Sequence, residues 1–178
     1  MGSSYYNYIV YKVKEDKFTN LSLNKDKIDG RLIAINNNYL AMSWVKGDIV
    51  IVNSTKPCKV TNDHHNIIYN ANKSCDIEFS PFNDKILASA YDNNSVALWK
   101  IPDGDIKENN TKELQIYRKH TKKVTYVTFN PIADNVLCSG ALGNEIHIWN
   151  PEKGDNYIEF KSVDNPLMIS WNPNGDLV

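Results

Sequence analysis

The chain has 178 residues, 42% of them hydrophobic and 23% charged, with 20 basic residues against 21 acidic ones and a formal net charge of −1. That is the composition of a globular domain with enough apolar side chains for a core. It excludes the domain-wide positive charge of a nucleic-acid binder. No run approaches the ~18 to 20 consecutive apolar residues that cross a bilayer, and Met1 to Asn7 lacks the apolar stretch of a signal peptide. Cys58, Cys75 and Cys138 stand far apart, with no CxxC pair. They fit neither a disulfide framework nor a zinc site and point to a reducing compartment such as the cytosol. Lys outnumbers Arg 18 to 2, and Asn fills 24 positions. Asn tolerates turns and left-handed backbone, so a turn-rich all-β chain absorbs that usage more easily than a helical one.

Taken in chain order, the first candidate strand lies around Tyr8 to Val13, and a divergent unit runs over about 8–61. Two copies of one pattern follow. Cys75 to Trp99 (CDIEFSPFNDKILASAYDNNSVALW) and Thr125 to Trp149 (TYVTFNPIADNVLCSGALGNEIHIW) align without a gap at a spacing of 50 residues. Phe79-Ser80-Pro81 answers Phe129-Asn130-Pro131, Leu87 answers Leu137, Ser89 answers Ser139, and Trp99 answers Trp149. A further copy opens at Leu167, where Ile169 to Pro173 (ISWNP) repeats the aromatic-x-Pro unit.

Each copy reads as short β-branched or alternating runs divided by turn residues: Asp76 to Phe79, Ile86 to Ser89 and Ser95 to Trp99 in one, Val124 to Phe129, Val136 to Ser139 and Glu145 to Trp149 in the other. A fourth strand is predicted after each Trp, at Leu114 to Tyr117 and Tyr157 to Phe160. Helical periodicity is absent over any three turns. Four antiparallel strands recurring every 40 to 50 residues is the arithmetic of a β-propeller blade. The predicted fold is therefore all-β, with repeats over about 69–117 and 119–160 and the start of another over 167–178.

These residues resemble the WD-repeat family. Lys119-His120 stands where such repeats carry Gly-His, and Ile148-Trp149-Asn150 stands where they end in Trp-Asp. The resemblance implies a structural hydrogen-bond network from His120, Ser139 and Trp149, with Ser89 and Trp99 in the preceding repeat. The network's Asp is missing: the turn reads Leu142-Gly143-Asn144, with Asn144 the nearest polar substitute, and in the preceding repeat Asn70 takes the His position. A closer resemblance, covering most of the chain, is to the coronin family of actin-binding WD-repeat proteins. It rests on His120 to Val124 (HTKKV) ahead of Phe129-Asn130-Pro131, on Asn135 to Ser139 (NVLCS), on Ile169 to Gly175 (ISWNPNG), and on Asn20 to Ser43 as a divergent first blade.

That resemblance implies a seven-bladed propeller, of which these residues supply about three blades and the opening of the next. They are accordingly expected to be a piece of a longer chain, and exposed strand edges would favour aggregation of the piece alone. It implies filamentous actin as partner, a cytoplasmic location on the actin cytoskeleton, and oligomers through a coiled coil that is not within this span. The basic stretch Tyr117 to Lys123 (YRKHTKK) offers Arg118, Lys119, Lys122 and Lys123 as an actin contact, and Lys25, with Arg31 nearby, lies where the family carries a basic actin-contacting residue. The competing reading of the stretch is a solvated loop, and the competing function is a WD-repeat scaffold or adaptor in a ubiquitin or signalling complex.

Catalytic motifs such as GxSxG, HExxH, a Walker loop and GxGxxG do not occur, so no catalytic residue and no cofactor are assigned. His64-His65 is no metal pair, because neighbouring side chains on an extended strand diverge. His147 is expected to be a packed or edge histidine. Trp44, Trp99, Trp149 and Trp171 are expected in the core.

Overall fold

The computed structural model describes residues 18–20, 30–56, 58–60, 66–68, 72–103, 112–154, 157–166 and 168–176. The strand expected near Tyr8, together with Lys25, His64-His65 and Asn70, lies outside them. Three four-stranded antiparallel sheets follow one another along the chain. The first holds β1 (Ile33–Ile35), β2 (Tyr39–Ser43), β3 (Ile49–Asn53) and β4 (Asn66–Ile68). Its fourth strand thus lies past the boundary expected at 61. The second holds β5 (Ser74–Phe79), β6 (Ile86–Tyr91), β7 (Val96–Lys100) and β8 (Lys112–Tyr117). The third holds β9 (Val124–Phe129), β10 (Leu137–Ala141), β11 (Glu145–Trp149) and β12 (Tyr157–Lys161).

Within every sheet the strands lie in chain order, so each connection is a hairpin. The second and third sheets are copies in register as well as in sequence. Leu87 pairs with Trp99 as Leu137 pairs with Trp149, and the first strand of each carries a bulge at the same place, Cys75 and Thr125. The first strands β1, β5 and β9 pack side by side at the inner edge, and each last strand lies outermost. This is the radial stacking of propeller blades.

Alternation along the strands builds the core between sheets. Tyr39, Ile49 and Ile51 of the first sheet meet Ile77, Phe79, Leu87 and Trp99 of the second. The opposite face of the second sheet, with Ala88, Ala90, Val96 and Leu98, meets Val127, Leu137, Ala141 and Trp149 of the third. The outer face of the first sheet is closed by Phe18 and Val60 against Met42, Trp44, Val50 and Val52. Trp44, Trp99 and Trp149 are buried, and Trp171 is half-buried, with its indole N–H 3.5 Å from the Thr128 carbonyl.

Several of the asparagines serve the hairpin turns. The turn after the first strand of each unit is closed by one side-chain oxygen that accepts main-chain N–H groups at the start of the turn. Asn36 accepts from Asn38 and Tyr39, Ser80 from Phe82 and Asn83, Asn130 from Ile132 and Ala133, and Asn172 from Asn174 and Asp176. The turns between the second and third strands use left-handed residues instead, with Asn94 at φ 68° and Asn144 at φ 70°.

Candidate functional site

The basic stretch forms the connection from β8 to β9. Arg118, Lys119 and Lys122 are exposed and Lys123 is half-buried, while His120 between them turns inward and is 6% exposed. One histidine therefore anchors a loop whose cations face solvent.

The anchor is a chain of hydrogen bonds. Trp149 Nε1 donates to Ser139 Oγ at 2.8 Å, Ser139 Oγ lies 2.7 Å from His120 Nε2, and His120 Nδ1 lies 3.2 Å from Glu145 Oε2. An indole N–H can only donate and a carboxylate can only accept. Ser139 therefore donates to Nε2 of a neutral imidazole whose proton sits on Nδ1. Burial, followed by the neighbouring His147, pushes His120 down to about 4, and the bonds to Glu145 offset this only in part. The His120–Glu145 contact is thus a hydrogen bond with a neutral ring, despite its ion-pair distance. Glu145 also accepts from Thr121 N at 2.9 Å and from the Thr121 hydroxyl. Burial raises the Glu145 carboxyl, but these donors and His120 hold it below its ordinary value.

Here the structure corrects the sequence reading. The acidic member of the network is Glu145, the first residue of β11, and not Asn144. The extra methylene of Glu lets it reach His120 from the strand. Asn144 is released to donate to the Val163 carbonyl at 2.9 Å. In the second sheet Trp99 Nε1 donates to Ser89 Oγ at 2.8 Å, and Ser89 lies a long 3.5 Å from the Ala97 carbonyl.

His147 is buried and stacks on His120, centroid to centroid 3.9 Å with planes 7° apart. Its own value is depressed by burial, which outweighs the attraction of Glu159 and Glu145. Among the described residues, His120, Glu145 and His147 bring metal-ligand atoms within 4.8 Å of one another. They suit a metal poorly. The lone pairs of two parallel imidazoles do not converge on one point, and both His120 nitrogens are engaged.

A second polar cluster lies at the inner edge, and no sequence motif announces it. Asp76 and Glu78 alternate on β5 toward β9, opposite Ile77 and Phe79. Asp76 accepts from Arg31 N at 2.7 Å, Arg31 Nε at 2.9 Å and Val127 N at 2.9 Å, and Glu78 accepts from Phe129 N at 2.7 Å. The Arg31 guanidinium completes ion pairs with Asp76 at 2.9 Å and Glu78 at 2.8 Å and donates to the Val127 carbonyl. One arginine thus ties the entry to the first sheet to the inner strands of the second and third. Burial lowers the Arg31 value, but the two carboxylates outweigh it and raise it overall. Arg31, expected as an actin contact, remains exposed, and two carboxylates already occupy its fork. Gly30 makes the approach possible: a Cβ there would sit 2.6 Å from both the Cys75 carbonyl and Asp76 Cβ. A cavity of 460 Å³ lies beside the clamp, lined by Arg31, Glu78, Tyr126, Thr128, Met168 and Ile169 among others.

Fold, repeat register and the indole-serine-imidazole-carboxylate chain together define the described residues as part of a WD-repeat β-propeller. Residues 111–150 match the family model described as "WD domain, G-beta repeat". The crystal structure of the WD40 domain from Toxoplasma gondii coronin superposes with a TM-score of 0.82 at 23% identity, covering 91% of this chain and 42% of that one. The particular likeness is to coronins. Coronin-2B of Mus musculus is 28% identical over 104 residues, which cover 57% of this chain and 22% of the relative. The coronin-like protein crn1 of Schizosaccharomyces pombe is 27% identical over 168 residues, 91% of this chain and 28% of the relative. The chain is coronin-like, and it spans about a quarter of the length of these relatives. No described helix is long and apolar enough to cross a membrane.

Proposed function

We propose that this stretch is an interaction module of a coronin-like protein that binds the sides of actin filaments and serves filament organisation and cell motility on the cytoplasmic actin cytoskeleton. It acts as a binding surface and not as an enzyme. The observation that carries the reading is the loop Arg118 to Lys123, where three exposed cations and the half-buried Lys123 surround a histidine locked into the core. Such a loop presents its charge at a fixed place, and the coronin likeness makes the acidic flank of a filament the fitting partner. Cross-linking needs more than one binding site per assembly, and the oligomerising coiled coil expected from the resemblance would supply it.

Exposed ion pairs contribute about 0 to 1 kcal/mol each, so no single lysine dominates. The test is co-sedimentation of the full-length protein with filaments, wild type beside a variant with Arg118, Lys119, Lys122 and Lys123 all changed to Glu. The variant is expected to stay in the supernatant under conditions that pellet the wild type. Equal pelleting removes the loop as the contact. A wild type that fails to pellet removes actin and leaves the scaffold reading.

A further inference from the structure

We infer that Thr121 is a phosphorylation site for a protein kinase that reads basic residues, and that its phosphate unlatches the Arg118 to Lys123 loop and cancels about half of the loop's charge. The site stands on its own observations, and its effect on a partner rests on the filament-binding reading above.

The sequence narrows the choice to two hydroxyls. A kinase with an acidic substrate groove selects acceptors that follow cations two and three residues upstream, because charge patterns set kinase specificity. Thr121, after Arg118 and Lys119, and Thr125, after Lys122 and Lys123, are the two hydroxyl residues of the chain with bases at both positions. The fold decides between them. Thr125 is 2% exposed on β9, with its hydroxyl donating to the Gly140 carbonyl at 3.3 Å. Thr121 is exposed, and so are Arg118, Lys119 and Lys122 around it.

Thr121 also sits where a modification would be felt. Its hydroxyl donates to Glu145 Oε1, and Thr121 N donates to Oε2 of the same carboxylate at 2.9 Å. That carboxylate holds His120 Nδ1 at 3.2 Å, while Asn94 Nδ2 reaches the Thr121 carbonyl at 3.0 Å from the turn of the second sheet. Three fastenings of the loop therefore meet at one residue.

Phosphoryl transfer follows a local opening that frees the hydroxyl from Glu145. Thr121 Oγ1 then attacks the terminal phosphorus of a nucleoside triphosphate. The bond from Oγ1 to phosphorus forms, the bond from that phosphorus to its bridging oxygen breaks, the nucleoside diphosphate leaves, and the hydroxyl proton passes to the kinase's base. The product has no proton on Oγ1 to donate, and it places about 1.5 to 2 negative charges beside the Glu145 carboxylate. Like-charge repulsion drives the phosphate away from Glu145 and toward the cations on either side of it. Of the four positive charges on Arg118, Lys119, Lys122 and Lys123, about two remain for a partner, and the acceptor that positions His120 loses its second tether.

The test uses the full-length protein, with magnesium ATP and the catalytic subunit of cyclic-AMP-dependent protein kinase as the probe. Mass spectrometry of the treated, folded protein is expected to map phosphate to Thr121 and none to Thr125. No phosphate at Thr121, or as much at Thr125, overturns the site. Treatment should also speed hydrogen exchange over residues 118–123 severalfold, and unchanged exchange overturns the unlatching. In co-sedimentation, treatment should raise Kd about 10-fold at low salt, with the gap narrowing as salt is raised. Thr121→Val, treated in parallel, should show neither change, and changes of equal size in it assign the effects to another residue and overturn them. An unchanged Kd with phosphate mapped to Thr121 overturns the effect on the filament and leaves the site standing. An untreated wild type that does not pellet overturns the actin reading, and the site is then judged by mapping and exchange.

Discussion

Removing the Asp76 carboxylate tests whether the inner-edge clamp, and not the apolar contact alone, holds the three sheets together. The side chain is fully buried and receives five bonds: Arg31 N, Nε and Nη2, Val127 N, and Ile77 N at 3.0 Å. In Asp76→Ala the Val127 N–H is left in the interior without its acceptor, at a cost of about 1–3 kcal/mol. The Arg31 guanidinium keeps Glu78, and its side chain is 44% exposed. Its loss is therefore nearer the ~1 kcal/mol of a surface pair than the ~3–5 kcal/mol of a broken buried one. The expected destabilisation is about 2–4 kcal/mol. Asp76→Asn, which keeps one acceptor oxygen, should lose about half of that. Arg31→Met leaves the carboxylate with three main-chain donors and should cost about 1–2 kcal/mol. Because the two groups share one network, the double variant should fall short of additivity by about 1 kcal/mol or more. Urea unfolding of the full-length protein, followed by tryptophan fluorescence, measures all four. Stability of Asp76→Ala within about 0.5 kcal/mol of wild type, or strict additivity, refutes the clamp.

The stacked histidines make the third sheet acid-sensitive, with a fixed sign. His120, held at about 4, and His147, also depressed, are neutral when folded and take up protons near their ordinary value of about 6.5 when unfolded. Their contribution is complete above about pH 6.5 and is lost as pH falls toward 4, by up to about 1.4 kcal/mol per proton per pH unit. Glu145, held low in the folded state, acts in the same direction once pH falls below its unfolded value. Urea midpoints at pH 7, 6 and 5 should decline and flatten in His147→Leu, whereas a profile unchanged by that substitution contradicts the reading. Gly30→Ala forces a methyl group against the Cys75 carbonyl and Asp76 and should cost about 1–3 kcal/mol. A melting temperature equal to wild type would show that the backbone at Gly30 is not pinned.

Much of the fold is legible in the sequence because a propeller blade is a local structure. Each strand pairs with its neighbour in the chain, so Leu87 opposite Trp99 and Leu137 opposite Trp149 follow from hairpin arithmetic once the two copies are aligned. The Ser-Trp pairs were accessible for the same reason, being ten residues apart on adjacent strands. The clamp was not accessible. Arg31 and Asp76 are 45 residues apart, and Asp76 and Val127 are 51 apart. No periodicity joins them, and the carboxylates sit on a strand whose alternation reads as an ordinary half-buried face. The one available signal was the placement of two acids, Asp76 and Glu78, on the same face of a strand destined for the interior.

The network's acidic member shows how a motif search can name the right chemistry at the wrong residue. The expectation counted the acid as missing and took Asn144, in the turn, as its nearest polar substitute by position. The requirement is for a carboxylate oxygen within reach of His120 Nδ1 and Thr121 N, and Glu145 meets it from the strand with one more methylene. Moving the acid out of the turn has consequences on both sides. Gly143 and Asn144 can take left-handed conformations, at φ 85° and 70°, and bind Asn165 and Val163 of the following segment. The same strand also carries His147, whose ring lies against His120, where burial disfavours a charge on either ring and His147 adds to the lowering at His120. The network and the cationic loop are therefore one arrangement: what keeps His120 neutral and buried also fixes Arg118, Lys119 and Lys122 on the rim, so acid that loosens the stack should disperse the charges that a partner meets.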